Sequence, residues 1–386
     1  MHQRFIHPIL AAALLSAAST LASAATPLPV PLTANHWQGT GTAAFIQREG
    51  FPHGIAQVTS ESEEGFMALK NQRFDNGTIE FDIKPVGDEM PGIRFHQQDD
   101  DTADMLYIRV GPNCPAAQDC LQYLPILHGR ILWDVYPQYQ APAPFRVAEW
   151  NHIRLVISGQ RMNVYVNRQT EPSLRIAHLE SGERTGTIAL EGTALFANLT
   201  LAPGVTDGLE PRAPADAAAR DRRFLVHWHA ADPVSMESTE HLGLPNVPAS
   251  SAPWLPLTAD YGGLINLSRY HAPTPRHAPL QVVWLRTTLH SDREQIRHVA
   301  VGWLREIWIF ANGKPVYAGK NLYNVKGGRR APDGRLSLEN GGFDLPLHKG
   351  TNDILVAIDG NTPDMRGRYG WGFMARMDRA KGVTQK

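Results

Sequence analysis

The sequence predicts an all-β protein made of two β-sandwich domains in tandem. Its 386 residues are enough for two domains that each bury a full core. Short runs of alternating apolar and polar residues recur along the chain, and turns rich in its 33 Gly and 29 Pro residues separate them. No segment of the first half has a helical period, so strands dominate the prediction.

The clearest strands lie between Phe74 and Val110. A period of two predicts strands over residues 78–84, 92–96 and 105–110. In each strand, apolar side chains fall on one face, and charged or aromatic side chains fall on the other. A sandwich sheet has this arrangement, with one face packed in the core and one face turned to water or a ligand.

Further strands are predicted on both sides of this stretch. In the first domain they cover residues 42–47, 55–59, 65–69, 121–127, 130–136, 150–158, 161–167, 186–191 and 195–201. Residues 202–223 are rich in Pro, Ala and charge and lack alternation, which predicts a linker or a short helical connector. The first domain is therefore assigned to residues 36–201 and the second to residues 224–379.

The N-terminus predicts export. A positive charge at Arg4 precedes an apolar run over residues 9–21 and then the small residues Ala22-Ser23-Ala24, the pattern of a secretory signal over residues 1–24. The alternative is an uncleaved N-terminal anchor, although the run is short for a membrane span. The protein is thus expected to be secreted or periplasmic. In that setting Cys114 and Cys120 are expected to form a structural disulfide.

The near-neutral charge of the chain bears on which kinds of molecule it can bind. With 37 basic and 38 acidic residues the chain is nearly neutral, which argues against nucleic acid or an anionic membrane surface. No nucleotide-binding or serine-esterase motif is present in the sequence. No metal site is predicted from His or Cys spacing. The acidic loop from Asp99 to Asp104 is open to two interpretations, a calcium site or a solvated turn.

Several segments of the first domain resemble the concanavalin A-like lectin/glucanase superfamily, and within it the 3-keto-disaccharide hydrolase-like group. The resemblance rests on Asn76-Gly77-Thr78-Ile79-Glu80-Phe81-Asp82-Ile83-Lys84, Gly92-Ile93-Arg94-Phe95, Tyr107-Ile108-Arg109 and Trp150-Asn151-His152-Ile153-Arg154. It covers residues 36–201. It implies a lectin-like sandwich with glycans on its concave sheet face.

The second domain resembles the galactose-binding-like jelly roll that often accompanies carbohydrate-active domains. The matching segments are Val282-Val283-Trp284-Leu285-Arg286, Ile307-Trp308-Ile309-Phe310-Ala311-Asn312-Gly313 and Lys349-Gly350-Thr351-Asn352-Asp353. Asn312-Gly313 suits a tight hairpin turn. This fold serves binding, attachment and structural bracing alike, so it implies no single activity.

Alternate residues of a strand point to the same face of a sheet, and this rule predicts one binding surface. It is made of Arg94, His96, Tyr107, Arg109 and Tyr123. Arginine bonds hydroxyl or carboxylate oxygens and tyrosine stacks on sugar rings, while histidine is the commonest general acid or base. The resemblance supports Arg109 in particular. The Glu80-Phe81-Asp82 segment resembles the Glu-x-Asp core of laminarinase-type hydrolases, but Lys84 and Pro85 stand where a third carboxylate is expected. That pair is therefore interpreted as part of a framing strand.

Two functions remain as hypotheses. The first is an exported carbohydrate-recognition protein that binds a polysaccharide or glycoconjugate on the concave face of its lectin-like sandwich through Arg94, Tyr107, Arg109 and Tyr123. The alternative is a glycan-degrading hydrolase or lyase of the 3-keto-disaccharide hydrolase-like type, with His96 as its acid/base. In both cases the partner is a carbohydrate. The glycan, its linkage and the oligomeric state do not follow from the sequence.

Overall fold

The all-β prediction is confirmed. The structure is a computed structural model that describes residues 26–59, 65–87, 90–114, 116–275, 278–360 and 368–386. Within these ranges nearly all regular structure is strand, arranged in antiparallel sheets. The predicted signal over residues 1–24 lies outside the described residues. No helix in the described part of the chain is long and apolar enough to cross a membrane.

The first half of the chain contributes sixteen strands, most of them at or within a few residues of the predicted positions. They are β1 (Leu28–Pro29), β2 (Trp37–Gly39), β3 (Thr42–Arg48), β4 (Phe51–Thr59), β5 (Phe66–Leu69), β6 (Gly77–Pro85), β7 (Gly92–Gln97), β8 (Ala103–Ile108), β9 (Leu121–Leu127), β10 (Arg130–Ile131), β11 (Gln140–Ala141), β12 (Asn151–Ser158), β13 (Arg161–Val166), β14 (Leu174–Ile176), β15 (Thr187–Glu191) and β16 (Ala194–Pro203). A 3-10 turn covers Pro137–Tyr139.

These strands form two sheets that face each other. Sheet I has the order β14-β13-β12-β6-β16-β4-β3, with β1 paired to β16. Sheet II has the order β10-β9-β8-β7-β15-β5-β2, with β11 paired to β9. The core between them buries Ile79 and Phe81 from sheet I and Ile93, Phe95 and Leu106 from sheet II. Alternation along each strand therefore places the intervening residues on the outer faces of the sandwich.

The second half of the chain begins with the short helix α1 (Ala217–Arg220), capped by the side chain of Asp216. Its strands are β17 (His227–Ala231), β18 (Val234–Met236), β19 (Trp254–Thr258), β20 (Ile265–Asn266), β21 (Leu280–Ser291), β22 (Gln295–Trp303), β23 (Arg305–Ala311), β24 (Lys314–Asn321), β25 (Gly341–Leu347), β26 (Gly350–Asp359), β27 (Gly372–Met377) and β28 (Val383–Gln385). Short 3-10 turns cover Leu244–Asn246, Tyr261–Gly263 and Leu267–Arg269.

These strands also form a two-sheet sandwich. Sheet III has the order β19-β17-β21-β26-β23-β24, with β18 and β28 paired to β21, and sheet IV has the order β20-β27-β22-β25. Their shared core includes the fully buried side chains of Trp303 and Phe373. The assignment of residues 36–201 and 224–379 to two domains, joined by a linker over residues 202–223, stays a prediction.

Arg130 joins the two sandwiches. Its side chain comes from β10 of the first sandwich and is completely buried. It donates three hydrogen bonds to backbone oxygens of the second half of the chain, those of His271 (2.7 Å), Ala272 (2.9 Å) and Tyr369 (3.0 Å). A buried guanidinium needs such acceptors, because an unpaired buried donor costs free energy. The two sandwiches are therefore tied by specific polar contacts.

Asp134 adds a second tie beside Arg130. Its carboxylate accepts a hydrogen bond from the backbone N–H of Gly370 at 3.0 Å, and its backbone oxygen accepts one from Leu336 at 2.9 Å. A Cβ atom at position 370 would lie 2.1 Å from a methyl carbon of Val135, so only glycine fits this close approach. Residues 130–136 were predicted as one strand, but β10 ends at Ile131 because the chain turns here to meet the second sandwich.

Candidate functional site

Arg94 extends from β7 on the outer face of sheet II, but its guanidinium is already bound. It forms a buried ion pair with Glu191 of the neighbouring strand β15 and donates a hydrogen bond to the backbone oxygen of Asp100 at 3.1 Å. The guanidinium carbon also lies 4.4 Å from the ring centre of Phe66. Only 3% of the residue is exposed, so Arg94 is sequestered within the protein.

His96 lies in the interior rather than on a binding face. The residue has a φ of +49° at the irregular junction of β7 and β15, and none of its surface is exposed. Its Nδ1 atom lies 3.0 Å from Oδ2 of Asp104, and its Nε2 atom lies 2.9 Å from the backbone oxygen of Asp75. A substrate has no access to an imidazole enclosed in this way. The placement of His96 on an open face was therefore wrong.

Tyr123 belongs to the same buried network. Its hydroxyl donates to Oδ1 of Asp104 at 2.6 Å and accepts from the backbone N–H of Glu180 at 2.6 Å. The hydroxyl of Ser181 donates to the other carboxylate oxygen of Asp104 at 2.9 Å. Burial and the negative charge of Asp104 raise the pKa of the Tyr123 phenol well above its usual value. These contacts give Tyr123 a structural role in the core.

Tyr107 and Arg109 do not share a face with Tyr123. In the β8–β9 pair, Tyr107 lies opposite Gln122, whereas Tyr123 lies opposite Leu106 and points into the core. The phenol of Tyr107 donates to Oε1 of Gln122 at 2.5 Å. The guanidinium of Arg109 bonds to the same phenol and to the backbone oxygen of Asp119. The predicted single surface is therefore wrong, because adjacent residues on a strand alternate between faces.

The outer face of sheet II is covered by protein. Met105 and Tyr107 form a buried apolar cluster there with Trp133 packed against it. Trp133 in turn contacts the second sandwich, with the ring of Tyr323 at 4.5 Å and the guanidinium of Arg335 at 5.3 Å. This face therefore packs against the second sandwich, which explains why Tyr107 is buried.

The acidic loop does not gather its carboxylates. Asp104 turns inward to His96, and Asp99 accepts a hydrogen bond from the backbone N–H of Asp101 at 2.9 Å. Over the described ranges, no group of three or more His, Cys, Asp or Glu side chains is arranged to hold a metal ion. Just after β8, Cys114 and Cys120 form the expected disulfide, which closes the connection between β8 and β9.

A different polar site lies on the outer face of sheet I. Alternation along β6 puts Glu80 and Asp82 outward, and alternation along β12 does the same for His152 and Arg154. The register sets Asp82 directly opposite His152 and Glu80 directly opposite Arg154. Side chains that are directly opposite on neighbouring strands interact closely. Four charged groups therefore meet at the centre of this face.

His152 bridges the two carboxylates. Its Nδ1 atom lies 2.8 Å from Oδ1 of Asp82, and its Nε2 atom lies 3.2 Å from Oε2 of Glu80. Hydrogen bonds to Asp82 and Glu80 raise the pKa of His152 from 6.5 to about 9, against the opposing effect of burial. The imidazole is therefore protonated at neutral pH and donates a hydrogen bond to each carboxylate.

Both carboxylates are held in the ionised form. The hydrogen bond from His152 is the main cause of a lowered pKa at Glu80, and Arg154 lowers it further. Burial alone would raise the pKa of Asp82, but hydrogen bonds from His152 and Asn198 outweigh it and lower the pKa. The Nδ2 atom of Asn198 lies 2.7 Å from Oδ2 of Asp82. The general acid of a glycosidase needs a raised pKa, so neither carboxylate suits that role. In their ionised form both are suited to accept hydrogen bonds.

An open pocket of about 330 Å³ lies beside this charge network. Arg154 forms one side of it, with its Nε atom 3.3 Å from Glu80 and its guanidinium over the ring of Tyr165 at 5.0 Å. A second ion pair joins Arg154 to Asp207. The pocket is lined by Glu80, His152, Arg154, Tyr165, Arg168 and Gln169. It offers hydrogen-bond donors, acceptors and one aromatic ring on a half-buried surface.

The predicted site residues come from the segment of β7 to β9, whereas His152, Arg154 and Tyr165 lie on β12 and β13 and were not predicted. A usable signal was present. Polar and apolar residues alternate from His152 to Leu155, and His152 and Arg154 are the charged positions of that run. Glu80 and Asp82 were set aside as a catalytic pair for want of a third carboxylate. Their basic partners lie on β12, far along the chain.

Residues 32–201 match the family model described as the 3-keto-alpha-glucoside-1,2-lyase-like domain. The first sandwich is therefore a domain of the lectin/glucanase-like jelly-roll type, and the family resemblance predicted for it is confirmed. No curated protein matches the chain. The resemblance of the second sandwich to the galactose-binding-like jelly roll stays a prediction.

Solved structures that resemble the chain are distant. The carbohydrate binding module CBM66 from Bacillus subtilis is 14% identical with a TM-score of 0.33, and the match covers 44% of this chain and 98% of that one. The Bacillus licheniformis β-glucanase is 13% identical with a TM-score of 0.31, covering 46% and 97%. Domain 4 of an extracellular arabinanase from Geobacillus stearothermophilus is 11% identical with a TM-score of 0.30, covering 45% and 85%.

Proposed function

We propose that this chain is an exported carbohydrate-recognition protein and that a sugar binds in the pocket on the outer face of sheet I. The observation that carries the proposal is the pocket's set of fixed charges beside an aromatic ring. Ionised Glu80 accepts hydrogen bonds from sugar hydroxyls, and Arg154 donates to their oxygens. Tyr165 provides an apolar ring edge or face for the sugar ring.

The arrangement favours binding because its groups are set before the ligand arrives. His152 and Asn198 fix the carboxylate of Asp82, while His152 and Arg154 fix that of Glu80. Side chains that are already ordered lose little conformational entropy when a ligand binds. The description of the matching family, which concerns a 3-keto-glucoside, supports a sugar as the ligand.

Export is part of the proposal. The apolar N-terminal run supports it, as does the disulfide between Cys114 and Cys120, because such bonds persist in oxidising compartments. Fractionation of the producing cells, with the mass of the mature chain, tests it. Export with removal of about 24 residues is expected. A chain of full length in the cytoplasm contradicts it.

The alternative is a glycan-degrading hydrolase or lyase, and the lyase-like family model favours it. The candidate group for proton transfer is then Glu80 rather than His96. An ionised carboxylate is the form that accepts a proton from a substrate, and Glu80 lines the pocket. Protonated His152 holds it in place.

A glycan panel tests recognition against turnover. Wild-type protein is incubated with cell-envelope polysaccharides, ordinary disaccharides and 3-keto-disaccharides, and both retention and product formation are measured. The recognition hypothesis predicts that a glycan is retained and that no product forms. Tyr165→Ala should then weaken the binding of that glycan about tenfold. Arg175→Ala is the matched control. Arg175 is exposed on the edge strand β14 of the same sheet and lies outside the pocket, so this variant should bind as the wild type does. Product that disappears in Glu80→Gln supports the enzyme instead.

A further inference from the structure

A second pocket, of about 370 Å³, lies where the two sandwiches meet. The first sandwich contributes most of its lining, and the connection after β20 contributes the rest. The lining residues are Thr102, Leu127, His128, Ser181, Glu183, Arg269 and Tyr270. A ligand in this pocket would touch both halves of the chain.

Arg269 lies on one side of this pocket, and its side chain is held in place by an ion pair and hydrogen bonds. Its Nε atom pairs with Asp260, and its Nη2 atom donates to the backbone oxygen of Glu180 at 2.6 Å. The backbone oxygen of Arg269 lies 2.9 Å from Nε2 of His128, which donates to it. Asp260 therefore balances the guanidinium charge, and the carbonyl of Glu180 accepts one of its hydrogen bonds. The contacts of Arg269 also hold the two sandwiches together.

The side chains of two other lining residues, Tyr270 and Glu183, are available to a ligand. Tyr270 is 58% exposed, and its ring and hydroxyl form no hydrogen bond or ring contact with the described residues. The carboxylate of Glu183 likewise forms no ion pair among the described residues, although its backbone N–H bonds to the Ser181 hydroxyl at 3.1 Å. Because Arg269 is paired with Asp260, the Glu183 carboxylate is the charged lining group that has no ion-pair partner among the described residues.

We propose that this junction pocket is a second carbohydrate subsite that accepts neutral or amino sugars and rejects acidic ones. Tyr270 supplies a ring on which a sugar can stack, and Glu183 accepts bonds from two hydroxyls or from an ammonium group. A uronic acid would place its carboxylate against Glu183, and like charges repel in a half-enclosed site. The inference rests on the proposed function and extends it, because both sandwiches then share one ligand.

Isothermal titration of the full chain tests the subsite with three probes: cellohexaose, a chitosan hexamer and hexagalacturonate. Tyr270→Ala should weaken cellohexaose binding about tenfold, and Tyr270→Phe, which keeps the ring, should bind nearly as the wild type does. Glu183→Gln should weaken binding of the chitosan hexamer and strengthen that of hexagalacturonate.

The outcomes separate this inference from the proposed function. If Tyr165→Ala weakens binding but Tyr270→Ala leaves the affinity for all probes unchanged, the junction subsite is overturned and the sheet I pocket stands. If Tyr270→Ala weakens binding and Tyr165→Ala does not, the subsite stands and the sheet I pocket falls. Hexagalacturonate binding that Glu183→Gln leaves unchanged overturns the charge selectivity.

Discussion

The Nδ1 atom of His152 lies 2.8 Å from the Oδ1 atom of Asp82, directly across the β6–β12 strand pair. This contact places a protonated imidazole on the outer face of a lectin-like sandwich, with a second carboxylate, Glu80, on its other side. The charges of the site are thus organised from two strands that are distant in sequence.

The His152 contacts predict a stability that depends on pH. The pKa of His152 is about 9 in the folded protein and 6.5 in the unfolded reference, so its contribution is fully present below pH 6.5. It is lost as the pH rises from 6.5 through about 9, because the folded state then releases its extra proton. Urea unfolding at pH 6 and pH 9.5 should show that His152→Gln costs about 1 kcal/mol at the lower pH and much less at the higher.

An exposed pair in the second sandwich provides the control for that experiment. His298 lies 3.0 Å from Asp344 with both side chains largely exposed, so His298→Gln should change the free energy of unfolding little at either pH. An equal cost for His152→Gln at both pH values would contradict the assigned protonation state.

Asp104 is predicted to support the core without taking part in binding. It is completely buried and accepts hydrogen bonds from Tyr123 and Ser181 while contacting His96. In Asp104→Asn an amide N–H would face one of these donors, which should cost about 2–3 kcal/mol in denaturant unfolding. The folded variant should retain wild-type glycan affinity at low temperature. A loss of glycan affinity in Asp104→Asn with unchanged stability would contradict this prediction and would indicate that His96 and its partners take part in binding.

Arg130 is predicted to be the main polar tie between the sandwiches. Its replacement in Arg130→Met removes three donors and leaves the backbone oxygens of His271, Ala272 and Tyr369 without this partner. Breaking such a buried group should cost about 3 kcal/mol or more. Calorimetry should show a lower melting temperature and two separated transitions. A single unshifted transition would contradict the role given to Arg130.

The disulfide is predicted to make a modest contribution, because the loop between Cys114 and Cys120 is short. In the chain-entropy account the double variant Cys114→Ser with Cys120→Ser should lose about 2 kcal/mol in urea unfolding. The variant should still bind glycans, since neither cysteine lines the sheet I pocket or the junction pocket. A loss of binding in the folded double variant would show that the loop between β8 and β9 shapes the site.

The sequence predicted the strands well because alternation reports directly on which residues face a core. The outward positions of Glu80 and Asp82 on β6 followed from that rule. The rule failed at His96, where a positive φ breaks the alternation and turns the ring inward. It also could not show that Trp133, Tyr323 and Arg335 pack over sheet II, because contacts between distant segments leave no local pattern.

The candidate site illustrates the same limit. Each strand's pattern shows which side chains face outward, but the register between β6 and β12 decides which of them meet. Only that register brings His152 to Asp82 and Arg154 to Glu80. The predicted residues Arg94, His96 and Tyr123 had suitable chemistry, but they are buried and their polar atoms bond to protein partners.

The most direct test of the central claim is an NMR titration that follows the imidazole resonances of His152 as a retained glycan is added. The sheet I pocket predicts a saturable shift of these resonances at the ligand concentration that saturates binding, with the His298 resonances unchanged as an internal control. Saturable binding that leaves the His152 resonances in place would contradict the account and locate the sugar elsewhere on the protein.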